Sequence, residues 1–221
     1  ELNMEAKHSL ERQAAHFAHA FTTVSDVTAA ECKQLLEKAP DVVTPNGFEG
    51  DFVPKGELYA TKRAAARRRL LQIASALIGY KASDDALLVA TSGRYEFKNK
   101  GIDMYVDALN RLRLRYNGER EIIAFVMVPA WVKEARTDLS QRLVEDGDYN
   151  TPLPDPYVTH SLYNTGQDKV MSQIRYCGFP QKAESKLKII FIPSYLTGKD
   201  GIVDYTYYDT LIGLDATAFP S

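Results

Sequence analysis

Three runs of apolar residues constrain the fold of this chain more than any other feature of its sequence. They lie at residues 86–91, 121–128 and 187–192, each has the length of one strand, and Glu121 and Lys188 are their charged residues. Continuous apolar runs of this length are typical of parallel strands that are covered on both faces. Because helical patterns separate strand-like runs along the chain, the sequence predicts an α/β fold with a parallel sheet.

The remaining elements follow from apolar spacing and from capping and turn residues. Helices are expected at residues 4–20, 27–38, 58–79, 101–116, 131–145, 166–176 and 206–213. Shorter strands are expected at residues 21–24, 41–44 and 215–219. In the helix at 101–116, the spacing predicts an inward-facing set made of Met104, Tyr105, Ala108, Leu109 and Leu112.

Two stretches interrupt this alternation. Residues 48–56 contain Gly50, Pro54 and Gly56 without hydrophobic periodicity, which predicts a linker. Residues 130–186 are too many for a plain connection between neighbouring strands. We expect them to form an insertion with its own helices.

The helix at 58–79 has a basic middle, made of Lys62, Arg63, Arg67, Arg68 and Arg69. Such a run usually forms a solvated helix face. A site for an anion or a partner protein is the alternative.

The charge balance and the cysteines exclude several classes of protein. The formal net charge is −2 over 221 residues, so nothing indicates a nucleic-acid or anionic-membrane partner. No apolar run approaches the ~20 residues that a membrane helix needs, and residues 1–8 do not resemble a signal peptide. Cys32 and Cys177 form no CxxC pair. We therefore expect a cytoplasmic protein that binds neither nucleic acid nor a membrane.

The segment with the clearest chemistry is residues 92–101, which leave a buried strand and begin a helix. Ligands of open α/β sheets bind at such strand ends. Gly93 permits a close backbone turn, Arg94 offers a planar fork for phosphate oxygens, and Lys100 adds a compact cation. Free N–H groups of the helix N-terminus would add positive partial charge. The segment predicts a diphosphate clamp; a surface loop with scattered charges is the alternative.

The same segment, Gly-Arg-Tyr-Glu-Phe-Lys-Asn-Lys-Gly at 93–101, resembles the signature of the animal and fungal glycogen synthases, glycosyltransferase family 3. Other segments agree with that family in the same order: residues 11–16 with 21–25, 45–47, 190–196 and 219–221. The resemblance covers most of the chain and is weaker across residues 130–186.

The resemblance implies a GT-B fold, in which two Rossmann-like, doubly wound domains face each other across a cleft. Residues 1–47 would be the tail of the N-terminal domain, and residues 57–221 would be most of the C-terminal, nucleotide-binding domain. It also implies transfer of glucose from UDP-glucose to the non-reducing end of an α-1,4-glucan such as glycogen. The family retains the anomeric configuration and uses no metal or other cofactor, and the parent protein could be a homo-oligomer.

The resemblance implies roles for five particular residues. Arg94 and Lys100 match the catalytic pair that binds the departing diphosphate beside Gly93. Arg12 matches a third phosphate-binding residue, which reaches across the cleft from the other domain. Tyr195 and Tyr207 match aromatic positions that hold the uracil ring, although core packing is an equally good explanation for either tyrosine.

Two other function classes remain open. One is an ADP-glucose-dependent starch or glycogen synthase of the same architecture, and the other is a non-catalytic scaffold that binds glucan. His16 and His19, three residues apart, are interpreted as packing residues rather than metal ligands. Both chain ends are expected to be boundaries within a longer protein. The family's catalytic glutamate would follow Ser221, so we expect no transferase activity from these residues alone.

Overall fold

The computed structural model describes residues 3–145 and 149–220. Its contacts divide the chain into two compact units, with the division between Val53 and Pro54. No helix in the described ranges combines the length and apolar character that crossing a bilayer requires. The assignment of residues 1–47 and 57–221 to two GT-B domains joined by a linker at 48–56 stays a prediction.

The first unit contains two helices and two short parallel strands. They are α1 (Glu5–Phe17), β1 (Thr22–Thr23), α2 (Asp26–Leu35) and β2 (Val42–Val43), with Thr22 paired to Val42. Ser25 caps α2, because its hydroxyl accepts the N–H of Thr28. A ring nitrogen of His16 lies 3.0 Å from the carbonyl oxygen of Leu36, so this histidine joins α1 to the end of α2.

The second unit is built around a four-stranded sheet. In chain order its elements are α3 (Gly56–Ile78), β3 (Leu87–Ser92), α4 (Ile102–Arg113), β4 (Ile122–Met127), β5 (Val132–Ala135), α5 (Thr137–Glu145), β6 (His160–Leu162), α6 (Lys169–Cys177), β7 (Leu187–Ile192), α7 (Tyr207–Ile212) and β8 (Ala216–Thr217). The sheet order is β7-β4-β3-β8, and all its pairs are parallel. This confirms the predicted α/β fold class.

Both faces of this sheet are covered. In β4, Ile123, Phe125 and Met127 pack into a core with α3 and α5. Their neighbours Ala124 and Val126 pack on the opposite face with α4 and α6. A strand buried on both faces needs apolar residues at nearly every position, which explains the apolar runs. The exception is Lys188 in β7, whose buried ammonium pairs with the carboxylate of Glu121 at 2.8 Å.

The strand order contains a switch point. From β3 the chain passes to β4 and then to β7 on one side, whereas β8 lies on the other side of β3. The connections after β3 and after β8 therefore leave the sheet next to each other, at the carboxyl ends of two adjacent strands. In open α/β sheets the space outside such strand ends is the usual place for a ligand.

Helix α4 is rotated relative to the prediction. Ile102, Tyr105, Val106 and Leu109 are buried, whereas three members of the expected inward set are exposed, namely Met104, Ala108 and Leu112. The two stripes are neighbours on the helix surface, and only one stripe of a surface helix packs on the core. The prediction was therefore wrong for the three exposed residues and right for Tyr105 and Leu109.

The predicted helix at 131–145 is wrong in its first third. Residues Val132–Ala135 form β5, which pairs antiparallel with β6, and α5 begins only at Thr137. Arg136, between them, is buried and donates to the carbonyl oxygens of Asp155 and Val158 at 2.7 and 2.9 Å. Three- and four-residue strands carry too little alternation to be recognised in sequence. The region 130–186 is therefore mixed rather than helical.

Four of the five basic residues of α3 are structural, so both interpretations are wrong for them; Arg68 is exposed, as a solvated face predicts. Arg63 donates to the carbonyl oxygens of Ile212 and Leu214 and to the carboxylate of Asp215, at 2.6 to 2.8 Å. Arg67 donates to the other oxygen of Asp215 at 2.8 Å. The Lys62 ammonium donates to the carboxylate of Asp209 on α7 at 2.9 Å. The Arg69 guanidinium donates to the carbonyl oxygen of Val203, in the loop that precedes α7, at 3.3 Å. These four side chains fasten α3 to the segment that carries β8.

Asp215 is the centre of this arrangement. Its carboxylate accepts the Leu88 N–H at 2.8 Å, and its own N–H donates to the Leu88 carbonyl at 2.7 Å. Burial acts to raise the pKa of Asp215. The Leu88 N–H and the guanidinium groups of Arg67 and Arg63 outweigh burial and hold the pKa below its ordinary value of 3.8.

We predict that Asp215→Asn lowers the free energy of unfolding by about 1–3 kcal/mol at pH 7, because two partly buried guanidinium groups lose their counter-charge. A carboxyl whose pKa is depressed by folding stabilises the protein above its unfolded pKa and loses that effect as the pH falls through the folded pKa. The difference between wild type and variant should therefore shrink below about pH 4. Denaturant unfolding at pH 7 and pH 3 measures both values.

Asp84→Asn is the matched control, because the Asp84 carboxylate is exposed and pairs with the exposed Lys81. It should change the unfolding free energy by less than about 0.5 kcal/mol. An Asp215→Asn protein as stable as this control at pH 7 would contradict the stabilising role of the Asp215 carboxylate.

Candidate phosphate-binding site

The clamp loop, residues 92–101, connects β3 to α4 at the switch point. Gly93 has a φ of +139°, a conformation that L side chains rarely adopt. A Cβ placed there would meet no atom within 4 Å, so the backbone conformation and not crowding requires glycine. This open space allows another molecule to approach the backbone closely.

The far end of the clamp loop meets the segment that follows β8. Gly101 has a φ of +59°, and a Cβ on it would lie 2.6 Å from Cβ of Pro220. The loops after β3 and β8 are thus in contact at Gly101 and Pro220, as the strand order requires. Glycine here serves both the turn and the close approach.

Both predicted phosphate ligands of the clamp loop are available. Arg94 is 78% exposed, and its Nε lies 3.1 Å from a carboxylate oxygen of Glu96. Lys100 is partly buried, and its ammonium has no hydrogen-bond or ion-pair partner within residues 3–145 and 149–220. The N–H of Lys100 donates to the carbonyl of Glu96 at 2.8 Å. Glu96 is therefore bonded through its carboxylate to the Arg94 side chain and through its carbonyl oxygen to the backbone N–H of Lys100.

The N-terminus of α4 differs from the prediction. The N–H groups of Ile102 and Asp103 donate to the carbonyl oxygen of Phe97, at 3.1 and 3.4 Å. The Gly101 N–H donates to the carbonyl oxygen of Lys98 at 3.0 Å. These groups close the clamp loop instead of facing a ligand, so the expectation of free N–H donors was wrong. The cationic side chains are left as the main anion-binding groups.

Tyr95 fixes the clamp loop to the rest of the unit, and sequence reasoning missed it. Its hydroxyl donates to the carboxylate of Asp168 at 2.6 Å and accepts the Val170 N–H at 3.2 Å. Asp168 is buried and caps α6 by accepting the Met171 N–H. Burial, with the Asp168 hydrogen bond, raises the pKa of Tyr95, so the phenol stays protonated. The only sequence signal is an aromatic residue between two charged ones.

The two predicted uracil-binding tyrosines lie on elements that begin or end at the same edge of the sheet. The hydroxyl of Tyr207 is hydrogen-bonded to that of Ser92 at 2.7 Å, so this ring touches the start of the clamp loop. Tyr195 is 73% exposed and lines a cavity of about 380 Å³ beside the end of β7. Among described residues, Tyr207 is not part of that cavity wall. The Tyr207 N–H donates to the carbonyl oxygen of Leu196, the neighbour of Tyr195, at 2.9 Å, and the joint role of the two tyrosines stays a prediction.

Arg12, the third predicted phosphate ligand, lies on α1 of the first unit. Its guanidinium pairs with the carboxylate of Glu37, which follows α2. This pair is partly exposed, so it costs little free energy to exchange for another anion. The role of Arg12 stays a prediction.

Comparison with known proteins decides the family. The glycogen synthase family model matches residues 2–145, about two thirds of the chain. The chain belongs to the glycogen synthase family. Glycogen [starch] synthase isoform 2 of Saccharomyces cerevisiae is 26% identical over 97% of this chain and 39% of its own length. The Neurospora crassa glycogen [starch] synthase is 27% identical, and the mouse liver enzyme is 25% identical, each over 97% of this chain and 38% of its own length.

These relatives are considerably longer than this member of the glycogen synthase family. The chain spans about two fifths of their length. The match to the yeast protein extends over 278 positions, more than the 221 residues of the chain, so the relative has additional residues within the matched part. The resemblance seen in the sequence is thereby confirmed at the level of the family.

We predict that Tyr95→Phe lowers the free energy of unfolding by about 1–3 kcal/mol, because the buried carboxylate of Asp168 loses one of its donors. Denaturant unfolding at pH 7 measures the change. Tyr176→Phe is the control, since Tyr176 lies on α6 and is 91% exposed. Equal losses in the two variants would mean that the hydrogen bond does not anchor the clamp loop.

Proposed function

We propose that this chain supplies the donor-diphosphate site of a glycogen synthase, which transfers glucose from UDP-glucose to the non-reducing end of an α-1,4-glucan. The configuration at the anomeric carbon is retained. The observation that carries this proposal is the position of the clamp loop, with Arg94 and Lys100, at the switch point of the sheet. The chain that forms this sheet belongs to the glycogen synthase family. The proposal places the protein in the cytoplasm, and the intact protein could be a homo-oligomer.

The chemistry requires positive charge at one place. When the bond between the sugar and the phosphate breaks, the electron pair stays on the departing UDP. The glucosyl unit joins the acceptor hydroxyl, which gives up its proton. Fixed cations stabilise the negative charge that develops on the diphosphate, and in this proposal they do so without a metal ion.

Arg94 and Lys100 suit this task in different ways. The guanidinium of Arg94 can bind two phosphate oxygens at once, while the ammonium of Lys100 acts as a point charge. In the free protein Arg94 pairs with Glu96, and this exposed pair contributes little free energy. A diphosphate would take the place of Glu96 beside Arg94. Arg12 would add a third cation, and Tyr195 and Tyr207 would hold the uracil ring.

In the intact protein, we expect Arg94→Ala and Lys100→Ala each to lower the rate of glucose transfer by about 30- to 1,000-fold. This factor corresponds to about 2–4 kcal/mol of lost transition-state stabilisation. Because Arg94 is largely exposed and the Lys100 ammonium has no partner among the described residues, the unfolding free energy should change by less than about 1 kcal/mol. Radiolabelled glucose incorporation into glycogen measures the rate, and circular dichroism checks the fold.

Arg111→Ala and Lys81→Ala are matched controls, because each removes an exposed cation outside the clamp loop. Both should retain the wild-type rate. Calorimetric titration of the same proteins with UDP and with ADP separates the donor classes, and UDP should bind more tightly. Unchanged transfer in Arg94→Ala and Lys100→Ala would refute the clamp, and preference for ADP would refute the UDP-glucose donor.

A further inference from the structure

His160 is buried in the second unit and takes no part in the clamp loop. It is the first residue of β6 and is 1% exposed. A buried imidazole needs a partner for each ring nitrogen, because an unpaired polar group away from water costs free energy. Nε2 lies 3.1 Å from the carbonyl oxygen of Asp200, and Nδ1 lies 2.8 Å from the hydroxyl of Thr159. The ring therefore joins β6 to the connection between β7 and α7.

The partners of the His160 ring fix the position of its proton. Nε2 faces two acceptors, the Asp200 carbonyl oxygen and, at 3.5 Å, an oxygen of the Asp200 carboxylate, so Nε2 carries the proton. Nδ1 then accepts the hydrogen of the Thr159 hydroxyl. Burial lowers the pKa of His160 below its ordinary value of 6.5, although Asp200 and Asp204 act in the opposite direction. At pH 7 the ring is a neutral donor to Asp200.

The β7–α7 loop, residues 193–206, is organised around Asp200. The Asp200 carboxylate is fully buried and accepts the N–H groups of Val203 and Asp204 at 2.9 and 2.8 Å. Asp204 has a φ of +56°, a left-handed conformation that costs free energy for a residue other than glycine. The Gly201 N–H donates to the Asp204 carboxylate at 2.8 Å. The buried carboxylate thus holds together a turn that its own sequence disfavours.

This turn has a second support. Ile202 and Val203 are buried in the core that covers the α3 side of the sheet. The Arg69 guanidinium of α3 also donates to the Val203 carbonyl oxygen. Because these contacts do not involve His160, a variant at His160 should keep the loop on the unit while the turn around Asp200 becomes less well fixed.

The other end of the β7–α7 loop lies beside the two predicted uracil-binding tyrosines. Tyr195 lies near its start, and Tyr207 follows its last residue. Thr197 and Thr206 pair as an isolated antiparallel bridge, so the two ends of the loop run side by side. The segment between this bridge and the turn at Asp200 is short. The spacing and orientation of the two tyrosines therefore depend on the conformation of the turn.

We propose that His160 is a positioning residue for the uridine half of the donor; this inference rests on the proposed function. Through Asp200, His160 holds the β7–α7 loop in the conformation that sets Tyr195 and Tyr207 for the uracil ring. A loop ordered before the ligand arrives loses less entropy on binding. His160 does not belong to the clamp loop, so it affects the nucleoside and leaves the diphosphate to the clamp loop.

The test compares UDP with inorganic pyrophosphate in calorimetric titrations of the intact protein. His160→Leu keeps a side chain of similar size but removes the donor to Asp200. We expect it to raise the Kd for UDP about tenfold, which corresponds to roughly 1.4 kcal/mol. The Kd for pyrophosphate should stay within about twofold of wild type, because the clamp loop is unchanged. In transfer assays the KM for UDP-glucose should rise about tenfold, with kcat within about twofold of wild type.

Three further variants separate positioning from folding. His160→Gln can place an amide N–H where Nε2 lies, so it should recover most of the affinity for UDP. Asp200→Ala removes the acceptor at the centre of the turn and should weaken UDP binding at least as much as His160→Leu. Tyr157→Phe is the matched control, because it removes a hydrogen bond of 2.7 Å to another carbonyl of the same unit, that of Phe179. It should leave both Kd values unchanged.

Two kinds of outcome would overturn the positioning role of His160. One is wild-type affinity for UDP in His160→Leu, and the other is an equal loss of affinity for UDP and pyrophosphate. In either case, pyrophosphate binding by wild type that Arg94→Ala weakens would still support the diphosphate site. A wild-type protein that binds neither ligand would refute the proposed function together with this inference.

Discussion

The position of β8 beside β3 is the constraint on which the candidate site depends. Asp215 secures it, because one carboxylate binds the Leu88 N–H of β3 and also the guanidinium groups of Arg63 and Arg67 on α3. Without β8 on that side, the sheet would have no switch point, and the loop after β3 would border solvent only. With it, Gly101 lies against Pro220, so the loop after β3 borders the segment after β8.

Much of this fold could be predicted because strands buried on both faces have a strong sequence signal. The apolar run at 187–192 matches β7 residue for residue, and the run at 86–91 is displaced from β3 by one. The clamp loop could be located for the same reason, since it follows such a strand and contains Gly93, whose φ of +139° only glycine adopts readily. The resemblance of the sequence to the family then assigns roles to residues whose spacing alone does not indicate a role.

Features that depend on distant partners could not be predicted. Residues 132–135 form a strand only because residues 160–162 lie beside them, and Arg136 is buried only because distant carbonyl groups converge on it. The basic face of α3 has the pattern of a solvated helix until its partners on the segment carrying β8 are known. Likewise, Tyr95 anchors the clamp loop through Asp168, 73 residues later in the chain.

The central claim is that one diphosphate binds between the loops that follow β3 and β8, held by two cationic residues of a single loop. A crystal structure of the intact protein with UDP tests it most directly. We expect the pyrophosphate oxygens to lie within about 3.2 Å of both the Arg94 guanidinium and the Lys100 ammonium, with Glu96 released from Arg94. A pyrophosphate bound away from these two loops, or in contact with neither cation, would contradict the assignment.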